Sequence, residues 1–157
     1  VQRHALLANG GRLVSPHITR GFRSGDALAP ASSPVGRQLL NPEVTTTVLS
    51  WMESVVEQGS GQGVKTPGYR IGGKTGTAQK ALNGIYLPGA KICSFVATLP
   101  IEAPRYVVFV AVDEPQGAHA YGSTVAVPVA KQIIDALLVI ERISPSKPAE
   151  LNNTLMS

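Results

Sequence analysis

The apolar positions of the chain fall into two helical runs and two extended ones. Val44, Val48, Trp51, Met52, Val55 and Val56 recur at three- to four-residue steps, the spacing of one helix face. Ahead of them, Asn41-Pro42-Glu43 offers an N-cap, a proline at the first helical position and an acid in the first turn. Gly59-Ser60-Gly61 stops the run, so a helix over 41–58 is predicted. Ser123 can cap a second helix reaching Arg142, with Val127, Ala130, Ile134, Leu137, Leu138 and Val139 on its buried side and Pro128 marking its start or a kink. Ile92–Leu99 and Tyr106–Val112 are rich in β-branched and aromatic residues and read as strands, the second apolar throughout and so predicted to be buried on both faces. Val1–Ala8 reads as a helix end halted by Asn9-Gly10-Gly11, Arg12–Ile18 as a short extended piece, and 20–38 as loop. A turn around Asn83-Gly84 joins the middle of the chain into an antiparallel meander. Residues 143–157, with two prolines and polar side chains, are expected to be a disordered tail.

Composition narrows the function more than the fold. With 157 residues, 43% hydrophobic and 15% charged, the chain can build one core, here taken as residues 1–142. The net charge of +4 is spread without basic runs, which argues against a nucleic-acid partner. Cys93 is the single cysteine, so no internal disulfide can form, and its apolar neighbours predict a buried thiol. His4 and His17 have no partner at ligand spacing and read as surface or incidental residues. No run reaches 18 consecutive apolar residues, and no stretch of these residues reads as a signal peptide.

The chemistry concentrates in Gly72–Thr77, six residues holding three glycines, a lysine and two threonines. Two readings compete. Gly68–Thr75 satisfies G-x-x-x-x-G-K-[ST], and Asp113-Glu114 after an apolar strand could supply the magnesium-holding acid of a nucleotide-binding P-loop. That loop needs a buried strand before it and a helix opening at Lys74-Thr75. Here the preceding Gln58–Pro67 is glycine-rich, and Gly76 and Asn83-Gly84 would break the helix. The other reading makes the segment itself a strand. Thr75 and Thr77 then share one face beside Lys74, an arrangement suited to a carboxylate, while Gly76 leaves the backbone open to a ligand and an edge strand offers free N–H groups to an oxyanion. Asp113 and Glu114 are expected to be a solvated strand end rather than a catalytic pair, and the sequence does not place His119.

Lys74-Thr75-Gly76 is also one of three motifs shared by serine β-lactamases and penicillin-binding proteins. Pro67-Gly-Tyr, Gly73-Lys-Thr-Gly-Thr-Ala78, Asp113-Glu-Pro115, Tyr121-Gly122 and Ala126-x-Pro128-Val129, in this order, resemble the C-terminal half of a class B penicillin-binding protein of the division or elongation type. Leu6–Ile18 resembles the segment that follows the second motif in those proteins. The resemblance covers roughly residues 2–140. It implies an α/β (more strictly α+β) fold in which antiparallel strands are flanked by helices, part of a β-lactamase/transpeptidase-like domain whose remainder lies on a longer chain. It also implies a D,D-transpeptidase that cross-links peptidoglycan stem peptides through a serine acyl-enzyme and is the target of β-lactams. In that scheme Lys74 and Thr77 serve catalysis, Thr75, Gly76 and Thr77 bind the D-Ala-D-Ala carboxylate, and no metal or cofactor is needed. The family works outside the cytoplasmic membrane, anchored by an N-terminal helix, beside other division or elongation membrane proteins. The family's nucleophile motif is expected elsewhere, since Ser144-Pro-Ser-Lys147 falls in the tail and out of order and no Ser-x-Asn is present; the chain is expected to be inactive alone. A β-lactam sensor or hydrolase sharing Lys-Thr-Gly is the other alternative.

Overall fold

The computed structural model describes residues 1–19, 21–25, 27–30, 36–117 and 119–147. A three-stranded antiparallel sheet in the order β3-β4-β5 carries the molecule: β3 is Gly72–Leu82, β4 Ile85–Leu99 and β5 Tyr106–Asp113. Before it come α1 (Gln2–Ala8), a small hairpin of β1 (Gly21–Ser24) and β2 (Ala27–Pro30), and α2 (Pro42–Gln58). After it a single π-helical turn, Gly122–Ala126, leads into α3 (Val127–Ile140).

The sheet is the expected meander, with a longer middle. Asn83 and Gly84 both take positive φ, 51° and 81°, which closes a tight hairpin and lets β4 begin at Ile85, seven residues before the predicted strand. Register puts Thr75 opposite Phe95, Thr77 opposite Cys93, and Phe95 opposite Val110, so these side chains share a face. The main core forms there, where α3 lays Val127, Ala130, Ile134 and Leu138 against Phe95, Ala97, Val108 and Val110. Cys93 is fully buried, as its neighbours predict. The run Gly122–Ile140 is long and apolar enough by composition to cross a membrane, with mean hydropathy 1.6, but in this fold one side of it closes the core.

Two glycines decide how closely the layers approach. A Cβ at Gly73 would come 2.4 Å from the Phe95 ring, and one at Gly72 would come 2.6 Å from the Ile101 side chain and 3.2 Å from Cβ of Met52 in α2. The glycines that open the key strand therefore let a phenylalanine lie on one side and a helix on the other. α2 begins as the cap predicts, with the Glu43 N–H donating to Asn41 Oδ1 at 3.0 Å.

Several expectations need correction. The buried stripe of α2 is Thr45, Leu49, Met52 and Val56; Val44 is half exposed and Trp51 is 65% exposed. Thr45 can be buried because its hydroxyl donates to the Pro42 carbonyl at 2.7 Å, so the helix turns this face inward without orphaning a polar group. On α3, Val139 points to solvent. The helix end is capped by Thr124, whose Oγ1 accepts from the Tyr121 N–H at 3.0 Å, and Pro128 lies in the first turn of the α-helical part. β5 is buried on one face only. Val108 and Val110 meet α3, while α1 reaches the other face near Val107 and leaves Phe109 half exposed. The stretch read as loop over 20–38 contains the β1–β2 hairpin, made possible by a positive φ at Gly25. Phe22 on that hairpin is exposed.

Residues 143–147 of the expected tail are packed. Ile143 is buried, and its carbonyl accepts from the Tyr69 hydroxyl at 3.3 Å. Ser146 Oγ accepts from the Arg70 N–H at 3.2 Å, and the Lys147 N–H donates to the Gly68 carbonyl at 2.9 Å. Residues 148–157 lie outside the described residues.

Candidate functional site: the outer edge of β3

Among the described residues β3 pairs only with β4, so its other edge is open. In an antiparallel strand, alternate residues turn both backbone groups to the same side. Lys74 Nζ donates to the Thr75 carbonyl at 2.7 Å, which places the Thr75 backbone on the open edge. Thr77 has the same parity, so its N–H also faces outward, while Gly76 pairs inward with Ser94. Lys74 and Thr77 are exposed and Thr75 is partly so. The sequence-derived group of Lys74, Thr75, Gly76 and Thr77 thus forms an accessible rim with one ammonium, two hydroxyls and outward amides.

Two neighbours that pattern reading did not single out for this rim complete it. Ser60, in the turn after α2, lies with its Oγ 2.7 Å from Thr75 Oγ1. Gly122, at the start of the π-helical turn, donates its N–H to Thr77 Oγ1 at 3.1 Å. Gly122 can sit there only without a side chain, because a Cβ would come 2.6 Å from the Ser94 carbonyl and 2.8 Å from that of Gly76. Both contacts join residues distant in sequence. Gly59-Ser60-Gly61 signals only a helix end, and Tyr121-Gly122 enters only through the family resemblance; neither names its threonine partner.

Asp113 and Glu114 are solvated, as expected, and they are engaged. Lys80, at the register shift of β3, reaches Asp113 at 3.0 Å and Glu114 at 2.7 Å. Hydrogen bonding to Glu114 and then to Asp113 raises the Lys80 pKa above its ordinary value. Glu114 takes a positive φ of 49°, and its N–H donates to the Lys91 carbonyl at 2.8 Å. The loop that follows ends at Tyr121, whose ring lies under the Lys91 ammonium, 5.1 Å from the centroid. The His119 carbonyl accepts from Thr124 Oγ1, so that residue serves the helix start through its backbone.

Behind the rim, α2 is tied to the approach to β3 by a forked ion pair. Arg70 Nε and Nη2 donate to the two Glu53 oxygens at 2.7 and 2.6 Å. The Arg70 hydrogen bonds hold the Glu53 carboxyl below the usual carboxylate range, although partial burial opposes the shift.

This arrangement removes the P-loop reading. The residues after Lys74-Thr75 continue as a strand, no helix opens there, and β4 separates β3 from the strand that bears Asp113. Ser144-Pro-Ser-Lys147 belongs to the segment packed on Gly68–Arg70, with the Ser146 hydroxyl already taken.

Comparison with known proteins agrees with the strand reading. The penicillin binding protein transpeptidase domain family matches residues 1–135. The chain is 38% identical to the "Peptidoglycan D,D-transpeptidase FtsI homolog" of Mesostigma viride over 94% of its own length and 27% of that protein's. It is 37% identical to "Stage V sporulation protein D" of Bacillus subtilis over 91% of its length and 23% of the relative's. Among solved structures, the apo transpeptidase domain of Burkholderia pseudomallei penicillin-binding protein 3 superposes with a TM-score of 0.74 at 34% identity, covering 94% of this chain and 43% of that one. Penicillin binding protein 3 of Mycobacterium tuberculosis in complex with ampicillin gives a TM-score of 0.81 at 26% identity, covering 92% and 34%. The chain thus spans about a quarter of the curated relatives it matches. With its three-stranded sheet, its flanking helices and a family match over residues 1–135, this chain belongs to the penicillin-binding protein transpeptidase domain family.

Proposed function

We propose that the chain is the C-terminal part of a peptidoglycan D,D-transpeptidase and that its β3 edge binds the C-terminal carboxylate of the D-Ala-D-Ala stem peptide, or the carboxylate of a β-lactam. The observation that carries this reading is the pairing of the Thr75 and Thr77 hydroxyls on one face of an open strand edge, with Lys74 beside them. A carboxylate needs positive charge and directional donors, and this rim supplies both. Its exposure leaves room for a peptide to lie along it.

In the intact protein a serine from outside this chain attacks the penultimate D-Ala carbonyl. The tetrahedral oxyanion takes a hydrogen bond from the outward Thr77 N–H, D-Ala leaves, and an amine of a second stem peptide resolves the ester. Lys74 contributes positive field and a hydrogen-bond donor at the reacting end. The Mycobacterium tuberculosis neighbour is described in complex with ampicillin and with aztreonam, which supports β-lactams as ligands of this edge too. On this reading the parent protein works outside the cytoplasmic membrane, anchored through a segment beyond this chain, beside division or elongation membrane proteins.

The test is acylation of the full-length protein by fluorescent penicillin. Wild type labels stoichiometrically and deacylates slowly, Lys74→Ala labels roughly 10- to 100-fold more slowly, as loss of a charge-assisted contact requires, and the 157 residues alone do not label. Rapid turnover of the penicillin would favour the hydrolase alternative. Labelling of the 157-residue chain would place the nucleophile within it.

A further inference from the structure

We infer that Ser60 is a positioning residue for this carboxylate-binding edge, holding the Thr75 hydroxyl with its proton turned toward the ligand. The inference rests on the carboxylate reading above. A threonine hydroxyl has one proton and two acceptor lone pairs, whereas a carboxylate only accepts. Thr75 can therefore hold the ligand only by donating, and a donor behind its oxygen favours that orientation. Ser60 Oγ is 2.7 Å away, where either hydroxyl can donate to the other. An anion on the open side sets the direction: Ser60 donates to Thr75, and Thr75 donates outward. Thr77 is arranged in the same way without ambiguity, because the group behind it is the Gly122 N–H. Each threonine of the rim thus has a donor at its back.

The placement of Ser60 is built into the packing. The Gly59 and Gly61 N–H groups both donate to the Val55 carbonyl, at 3.0 and 3.1 Å, wrapping the turn onto the end of α2. A Cβ at Gly59 would come 2.9 Å from that carbonyl oxygen, and one at Gly61 would come 3.3 Å from the Phe95 ring. The same ring lies over Gly73 of β3, so one buried side chain locates both the turn and the strand that Ser60 and Thr75 occupy. As a sequence signal, Gly59-Ser60-Gly61 accounts only for the end of a helix, and glycine in the middle would have done that as well.

The experiment uses the full-length protein with two probes, benzylpenicillin and its methyl ester, which lacks the anionic carboxylate. Ser60→Ala is expected to slow acylation by benzylpenicillin about three- to tenfold, the worth of one hydrogen bond, and to slow the already slower acylation by the ester less, because an uncharged ester oxygen is the weaker acceptor. Ser60→Thr restores the wild-type rate. In a Thr75→Val background Ser60→Ala has no further effect, since the two residues act as one unit. Equal slowing with both probes, no slowing with either, or additive effects in the double variant would overturn the inference while leaving the transpeptidase reading intact. Failure of the wild-type protein to acylate at all would remove that reading and the inference together. Melting temperatures check the fold, and Ser60→Thr and the double-variant comparison still decide if Ser60→Ala is destabilised.

Discussion

Gly122→Ala is the sharpest single test of how the helix layer meets the site. The added methyl would sit 2.6 Å from the Ser94 carbonyl oxygen, 2.8 Å from the Gly76 carbonyl oxygen and 3.1 Å from the Gly76 nitrogen, all backbone atoms of paired strands that cannot swing aside. Reaching an ordinary contact of 3.4 Å requires the π-helical turn to back away by about 0.8 Å. The bond from the Gly122 N–H to Thr77 Oγ1, already 3.1 Å long, is then carried beyond hydrogen-bond reach. Overpacking of this kind costs about 1–3 kcal/mol, and the broken bond adds roughly 0.5–1.5 kcal/mol at the rim. Urea denaturation of the full-length protein should show the first loss as a lower midpoint with unchanged slope. Single-turnover acylation by penicillin should show the second, as a rate several-fold below wild type after correction for the folded fraction. Ser123→Ala, one residue on and without a bond to the rim, serves as the matched control. A Gly122→Ala protein with wild-type midpoint and wild-type acylation would refute the close approach on which the Thr77 geometry depends.

Other outcomes follow from the same coordinates. Phe95→Ala empties the shared centre of the main core, where the ring is fully buried, and should destabilise the protein by about 3–5 kcal/mol in denaturant titration. Glu53 has a folded-state pKa held below its ordinary 4.5 by Arg70, so its contribution is present above that value and is lost as pH falls through the lower folded-state pKa. Glu53→Gln should therefore be less stable than wild type near neutral pH, and the gap should close on acidification below about pH 4.5 in melts taken across pH. Lys80→Met releases both carboxylates at the end of β5, and hydrogen exchange of the 114–117 backbone should quicken while the centre of β4 stays protected.

Where local chemistry decides structure, the sequence was a good guide. Asn41-Pro42-Glu43 fixes a helix start with its own atoms, Asn83-Gly84 permits only a tight reversal, and Gly72-Gly73 followed by Lys-Thr-Gly-Thr is poor helix material whatever surrounds it. The strand reading of the site came from the alternation of Thr75 and Thr77, and the register places both on one face. Errors arose where a distant partner chooses between local options. The face of α2 follows its fit to Gly72 and Ile101, so Thr45 went inward and Trp51 outward against the hydrophobic count. β5 looked buried on both sides because its residues are apolar, yet the layer opposite α3 reaches only part of it. Ser60 and Gly122 meet their threonines across 15 and 45 residues of chain, and no periodicity reports such a contact.

The short run after Arg142 has a practical corollary. Its bonds to Gly68, Tyr69 and Arg70 act as a buckle on the segment that delivers the chain into β3, a few residues upstream of Lys74. A reporter or affinity handle spliced in directly after Arg142 would undo that buckle and disturb the rim from outside residues 72–77. One joined beyond Lys147 leaves it fastened, so fusion boundaries on this protein are best drawn there.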